Sequence, residues 1–246
     1  METMTRAFTD QIAVITGASS GIGKAIAQSL AAQGATLCLV GRRLEALEAV
    51  AKGVPATVPR VECYQADLTR EREIRELTAH LHRDFDRVDL LIHSAGVISQ
   101  GHLETAPLED FDVQYRTNVR GPYALTQALL PWLRSRQGQI VFINSSVGLH
   151  ARANVGQYAA TKHALKAIAD SLREEVNVAG VRVLSVFLGR TATPMQAAIY
   201  DMEGRTYRPH LLLQPEDVAA VVINALSLPR TAEVTEISIR PLIKSY

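Results

Sequence analysis

Short apolar runs alternate with longer amphipathic stretches along the chain. Gln11 to Thr16 (QIAVIT), Ala35 to Val40 (ATLCLV), Val88 to Ile92 (VDLLI), Gln139 to Asn144 (QIVFIN) and Val181 to Leu188 (VRVLSVFL) are short apolar runs. Runs of this kind mark strands buried on both faces. Val61 to Ala66 (VECYQA) alternates, and Val234 to Ile239 (VTEISI) closes the series of strands. Helical spacing fills the gaps between them. Ile22, Ile26 and Leu30 fall on one face, and Leu44, Leu47 and Val50 mark a short helix. Residues 70–85 form a charged helix with Ile74, Leu77 and Leu81 on its apolar side. A long helix is predicted over about Phe111 to Leu133. Another, over Gly156 to Val178, carries Leu165, Ile168, Leu172 and Val176, and Pro215 opens a last one. Strands alternating with helices imply βαβ units with right-handed crossovers. The predicted fold is α/β, a single doubly wound parallel sheet flanked by helices on both faces. Such sheets bind ligands beyond the carboxyl ends of their strands.

The chain has 246 residues, 47% of them hydrophobic, enough for one sizeable core. Residues 1–10 are expected to be a flexible extension and 11–246 a single domain. With 26 basic and 25 acidic residues the formal charge is +1. That balance argues against a nucleic-acid partner or a polybasic membrane surface. No apolar run reaches the roughly 18 residues of a membrane span, and METMTRAFTD lacks the apolar core of a signal peptide. The two cysteines, Cys38 and Cys63, lie within strand patterns and fit a reduced, cytoplasmic setting. No metal site is predicted.

Three features carry chemistry. Thr16-Gly17-Ala18-Ser19-Ser20-Gly21-Ile22-Gly23 joins the first strand to the first helix. Its glycines let backbone approach a pyrophosphate, and the helix start offers free N–H groups and a positive dipole end. The spacing is G-x-x-x-G-x-G rather than the usual G-x-G-x-x-G dinucleotide fingerprint. Tyr158 and Lys162 lie one helical turn apart. Bringing a tyrosine from its usual pKa to near 7 takes about 4 kcal/mol. One cation about 4 Å away supplies a similar amount at an effective dielectric of 20. Ser145 and Ser146 end the fifth strand, where either hydroxyl could hold a substrate oxygen, or both could simply form a turn.

Taken together, these features resemble the classical short-chain dehydrogenase/reductase family, with a Rossmann-type fold, over about Gln11 to Pro241. The resemblance makes Gly17, Ser19, Ser20, Gly21, Ile22 and Gly23 the cofactor turn. It makes Ser145 the catalytic serine, through the S-x-x-G ending at Gly148, and Tyr158 and Lys162 the Y-x-x-x-K pair. Asn118 matches a fourth catalytic position that would anchor a water linking Lys162 to solvent. Asp67, with Leu68 beside it, matches the adenine contact. Ser94, Ala95 and Gly96 pass close to the cofactor, although the family's N-N-A-G reads His93-Ser94-Ala95-Gly96. His93 is expected to be a hydrogen-bonded interior residue. The family's P-G reads Leu188-Gly189, which frees the backbone where Gly189 to Thr193 should wrap a nicotinamide. Thr191 and Thr193 are the expected carboxamide contacts.

The implied reaction moves a hydride between a nicotinamide and a carbonyl or secondary alcohol, with Tyr158 as acid and base and Ser145 bonded to the substrate oxygen. The second strand ends Val40-Gly41-Arg42-Arg43, without the acid that binds a ribose 2′-hydroxyl. Arg42 and Arg43 instead favour the 2′-phosphate of NADP(H) over NAD, while Ser20 stands where many NADP-preferring relatives carry a second basic residue. The substrate lid is placed at about 190–212, with Met195, Ala197, Ala198, Ile199 and Tyr200 suggesting an apolar substrate and Leu149 and His150 opposite. Arg205, Arg208 and His210 are read mainly as exposed charges, with contact to an anionic substrate as the alternative. The leading reading is an NADP(H)-dependent carbonyl reductase or alcohol dehydrogenase. A 3-oxoacyl-carrier reductase and, from another class, a non-catalytic NADP-binding sensor are its rivals. The resemblance also implies a homotetramer or homodimer.

Overall fold

The computed structural model describes residues 7–55 and 58–243. Its strands are β1 (Ile12–Thr16), β2 (Thr36–Gly41), β3 (Val61–Gln65), β4 (Leu90–His93), β5 (Gln139–Ser145), β6 (Arg182–Leu188) and β7 (Glu236–Ile239). They form one parallel sheet in the order β3-β2-β1-β4-β5-β6-β7. Strand order reverses between β1 and β4, so the crossovers leave these two strands in opposite directions and a crevice opens at their carboxyl ends.

Alternation along the buried strands divides the core between the two faces of the sheet. Ala13 and Ile15 face one layer and Ile12 and Val14 the other. The first layer is closed by α1 (Gly21–Ala32), α2 (Leu44–Lys52) and α8 (Pro215–Leu226). The second is closed by α3 (Glu71–Asp84), α5 (Gly121–Ser135) and α6 (Gly156–Val176). Ile74, Leu77 and Leu81 of α3 are all buried, as their spacing requires. α4 (Leu108–Tyr115) follows β4 and α7 (Pro194–Met202) follows β6 along the chain. Among the described residues, no helix is long and apolar enough to cross a membrane.

Two expectations are corrected. The helix expected over 111–133 is broken: α4 ends at Tyr115, Arg116–Arg120 form a π-helical turn, and α5 begins at Gly121. Pro122 has no N–H, so it cannot donate to the carbonyl of Asn118 four residues back. Gly121 N–H instead reaches the carbonyl of Arg116, five residues back. Asn118 sits in the middle of this widened turn. The second correction concerns the start of the chain. Of the expected extension, residues 1–6 lie outside the described residues, but Phe8 is 1% exposed and belongs to the α1/α8 core layer. Its N–H donates to Gln33 O at 3.2 Å. Among the described residues the core thus begins at Phe8, ahead of β1.

Phe8→Ala is expected to cost about 3 kcal/mol, as loss of a buried phenyl usually does. Urea unfolding should show a lower midpoint with an unchanged slope. An unchanged midpoint would mean that this segment is not part of the folded unit.

Candidate active site

Strand β1 delivers the chain into the glycine turn at the crevice. Gly17 and Gly21 adopt φ of +66° and +53°, the left-handed region that side chains disfavour. A Cβ on Gly17 would lie 2.8 Å from the backbone of Ala95. Thr16 fixes this contact from below: its hydroxyl donates to Ile92 O at 3.3 Å and accepts the N–H groups of Ser94 and Ala95 at 3.1 and 3.2 Å. Ser20 precedes α1 without capping it through its side chain, so the helix start faces the crevice with N–H groups to offer.

A cavity of about 220 Å³ runs over this turn. Gly17, Ser19, Ser20, Gly21, Ile22, Arg42, Asp67, Leu68, Ser94, Ala95, Gly96 and Thr193 line it, as the sequence expects. Arg43 and Gly23 do not. Arg43 is exposed where α2 begins, and Gly23 is buried inside α1. Asp67 spends one carboxylate oxygen on Thr69, accepting its N–H at 3.0 Å and its hydroxyl at 2.8 Å. Val40, Gly41, Ala66, Val97, Thr117 and Pro194 complete the wall, together with Met195, which the sequence places in the lid.

A second cavity of about 420 Å³ adjoins the first, and Ile22, Ser94, Gly96, Thr193 and Met195 line both. Ser145 at the end of β5 and Tyr158 and Lys162 on α6 meet here. Lys162 is 4% exposed, and its ammonium donates to Ile143 O at 3.0 Å and lies 5.7 Å from the Tyr158 ring centroid. Burial pushes the Tyr158 phenol up to about 12, with the Ser145 hydroxyl beside it pulling the other way. Burial likewise pulls Lys162 down to about 8. The expected lowering of Tyr158 by Lys162 is absent in this arrangement, because the ammonium is turned to the Ile143 carbonyl and desolvation dominates both groups.

Asn118 is brought to the same place but is occupied. Its side chain pairs with Val97 like a short piece of ladder, accepting from Val97 N and donating to Val97 O, each at 2.8 Å. It also donates to Thr161 on α6 at 3.1 Å. Gly96 fits between, where a Cβ would lie 3.3 Å from Asn118 Oδ1 and 3.9 Å from Lys162 Nζ. The Asn118 side chain therefore braces the loop after β4 against α6. His93 is an interior residue as expected. It bonds Thr126 at 2.8 Å, stacks on Phe142, and is held neutral by burial, with its pKa down to about 3.

The backbone after β6 is held, not freed, by the leucine that replaces proline. Leu188 pairs with Ser145 on one side and Ile239 on the other. Gly189 donates its N–H to Ile239 O at 2.8 Å, and a Cβ there would meet Pro241 at 2.9 Å. Ala192 and Leu213 then bridge the two ends of the lid at 2.7 Å. The Thr191 hydroxyl donates to Gly189 O, and the Thr193 hydroxyl accepts from Gln196 N to cap α7, so each keeps part of its hydrogen-bonding capacity for a ligand.

The lid is less apolar than its sequence suggests. Met195 and Ile199 line the cavity, but Tyr200 is buried behind it and Leu149 and His150 stay outside. Val147 and residues 152–155 form the opposite wall. Arg205 is half-buried rather than exposed, and it lines the cavity with Arg190, Glu203, Gln100 and Arg152, while Arg208 and His210 are exposed. The sequence carried no local signal for this cluster, since Gln100 and Glu203 are 103 residues apart.

With this geometry in view, comparison with known proteins is informative. The family model described as short chain dehydrogenase matches residues 11–204. An uncharacterized oxidoreductase of Staphylococcus epidermidis is 34% identical over 236 residues, covering 95% of this chain and 98% of that protein. Among solved structures, an alcohol dehydrogenase from the archaeon Thermococcus sibiricus, complexed with 5-hydroxy-NADP, superposes with TM-score 0.85 at 27% identity, covering 96% of this chain and 98% of that one. A metagenomic short-chain oxidoreductase in complex with NADP gives TM-score 0.83 at 29% identity, covering 97% and 100%.

The Lys162 environment makes a testable claim about stability. Its folded pKa, about 8, lies below its ordinary 10.5, so the unfolded chain holds the extra proton between these values. The penalty is therefore complete below pH 8 and fades as pH rises towards 10.5. At about 1.4 kcal/mol per pKa unit it is on the order of 3 kcal/mol, and losing the Ile143 hydrogen bond returns about 1 kcal/mol. Lys162→Met should gain about 2 kcal/mol at pH 7 in urea unfolding, with the gain lost by pH 10.5. A variant less stable than the parent at pH 7 would contradict the desolvated ammonium.

Proposed function

Because the chain belongs to the short-chain dehydrogenase family, we propose that it is an NADP(H)-dependent oxidoreductase interconverting a carbonyl compound and its secondary alcohol. One observation carries the reading: Ser145, Tyr158 and Lys162 converge on a cavity that opens into the glycine-turn cavity. The residues present fit a dinucleotide. Gly17, Gly21 and the N-terminus of α1 would hold the pyrophosphate, Asp67 and Leu68 would flank the adenine, and Thr191 and Thr193 would meet the carboxamide. Arg42 on the wall, with Gly41 where an acid would stand, suits the 2′-phosphate. Two structural neighbours bound to NADP or a derivative support this choice.

A bound nicotinamide would supply the hydride equivalent for reduction of the carbonyl carbon. Tyr158 gives its hydroxyl proton to the carbonyl oxygen as the C–O double bond becomes a single bond. The high pKa of Tyr158 keeps it protonated at neutral pH, which suits donation and hence reduction. Ser145 hydrogen-bonds the same oxygen and stabilises the charge that develops on it. Lys162 turns its cation toward the tyrosinate left behind, which offsets the desolvation that otherwise holds Tyr158 high. Asn118 keeps the loop after β4 seated against α6 while this happens. The exposed apolar side chains Leu108, Val113, Tyr115 and Tyr123 on α4 and α5 support a homotetramer built across these helices.

Tyr158→Phe should lower NADPH-dependent carbonyl reduction by a factor of about 10³ or more while leaving NADPH binding within a few-fold, as expected for loss of the acid alone. Retained turnover would remove Tyr158 from the chemistry. Arg42→Ala should raise KM for NADPH about tenfold and leave KM for NADH nearly unchanged, the cost of one charge-assisted contact. Equal effects on both cofactors would mean that Arg42 does not read the 2′-phosphate.

A further inference from the structure

We infer that the larger cavity selects a substrate that carries a carboxylate, held by Arg152 and Arg205; the inference rests on the oxidoreductase reading and names its substrate class. The cavity lining contains one acid, Glu203, against three arginines and Lys162. Arg190 already grips Glu203 with both terminal nitrogens, at 2.8 and 3.0 Å. That pair is enough to tie the lid to the end of β6. Arg205 nevertheless adds a second guanidinium, 3.2 Å from the same carboxylate. Tyr200 backs both guanidiniums, with Arg190 at 4.8 Å and Arg205 at 5.1 Å from its ring centroid. Gln100 holds Glu203 from the opposite loop at 3.2 Å. One acid between two arginines leaves a positive surplus, and Arg152, exposed on the facing loop, adds to it.

A surplus of positive charge in a concave site favours an anion over a neutral ligand of the same shape. Planar guanidiniums held against a ring suit a planar carboxylate, and Arg190 with Glu203 displays that geometry within the protein. The same cavity includes Gly189, Thr191 and Thr193, assigned above to the nicotinamide. What remains of its 420 Å³ therefore fits a small hydroxy or oxo acid. The apolar residues Val147, Val155 and Ile199 would then surround the short carbon chain between the anion and the reacting oxygen.

The test is calorimetric binding to the full chain in the presence of NADP⁺, using 3-hydroxybutanoate, its methyl ester and glycerol 3-phosphate. The acid should bind at least about tenfold more tightly than the ester, as one well-placed charged contact provides. Arg152→Ala and Arg205→Met should each narrow that ratio about three- to tenfold, and Arg205→Lys should keep part of it. Arg152 lies on an exposed loop, so its variant tests the idea even if changing Arg205 unsettles the lid. Equal affinity for acid and ester, or a ratio that neither arginine moves, overturns the inference. Tighter binding of the phosphate ester overturns the assignment to a carboxylate. Because binding is read apart from turnover, loss of the acid preference in an active enzyme refutes only this inference. A preserved preference without turnover of any carbonyl compound refutes only the oxidoreductase reading.

Discussion

The site depends on one short segment being clamped from both sides. Ser94–Val97 leaves β4 at the point where the strand order reverses. On one side the Thr16 hydroxyl accepts two of its N–H groups and Gly17 leaves room for Ala95. On the other side the Asn118 side chain satisfies both backbone groups of Val97. Gly96, between these anchors, is the wall behind Lys162. Each contact involves a buried or half-buried polar group whose partner cannot be replaced by water at low cost. The glycine turn, the break between α4 and α5, and the start of α6 are thereby locked into a single arrangement. The helix break has a purpose in this frame. The π-helical turn carries Asn118 across to the β4 loop, and Pro122 favours the break by withholding an N–H.

The sheet and its layers were legible in the sequence because buried parallel strands leave continuous apolar runs and the helices between them show their inner faces. Ile74, Leu77 and Leu81 gave away α3, and QIAVIT gave away β1. The glycine turn and the Ser145, Tyr158 and Lys162 set were legible because they are local or nearly local patterns on predictable elements. The structure places them on adjoining cavities. What sequence could not show was anything that depends on distant residues meeting. The bracing of Asn118 by Val97 and Thr161, and the arginine cluster around Glu203, are of that kind. The helix break carried a visible signal in Pro122, but the apolar spacing over 111–133 runs through it and conceals it. Phe8 was hidden because one aromatic residue makes no pattern.

Desolvation sets the character of the Tyr158 and Lys162 pair in this structure. It raises Tyr158 and lowers Lys162 together, so each is held away from its charged form. At neutral pH the tyrosine in that state keeps its proton, and the buried lysine is still mostly cationic; the proposed reaction uses the first as proton donor and the second to meet the tyrosinate. The stability sacrificed by burying Lys162 without a counter-ion is the sort of local strain that functional sites carry. The lid follows a different rule. There Arg190 and Arg205 are paired with Glu203 and stacked on Tyr200, so burial is answered by opposite charge.

The central claim is that a hydride passes through this site, and isotope transfer tests it most directly. The protein would be incubated with NADPH carrying deuterium at C4 of the nicotinamide, prepared as each of its two stereoisomers, and with a panel of ketones and oxo acids. Mass spectrometry should find deuterium at the carbinol carbon of at least one product, from only one of the two stereoisomers. Stoichiometric NADPH binding with no label transferred to any carbonyl compound would contradict the account and leave a dinucleotide-binding protein without this chemistry.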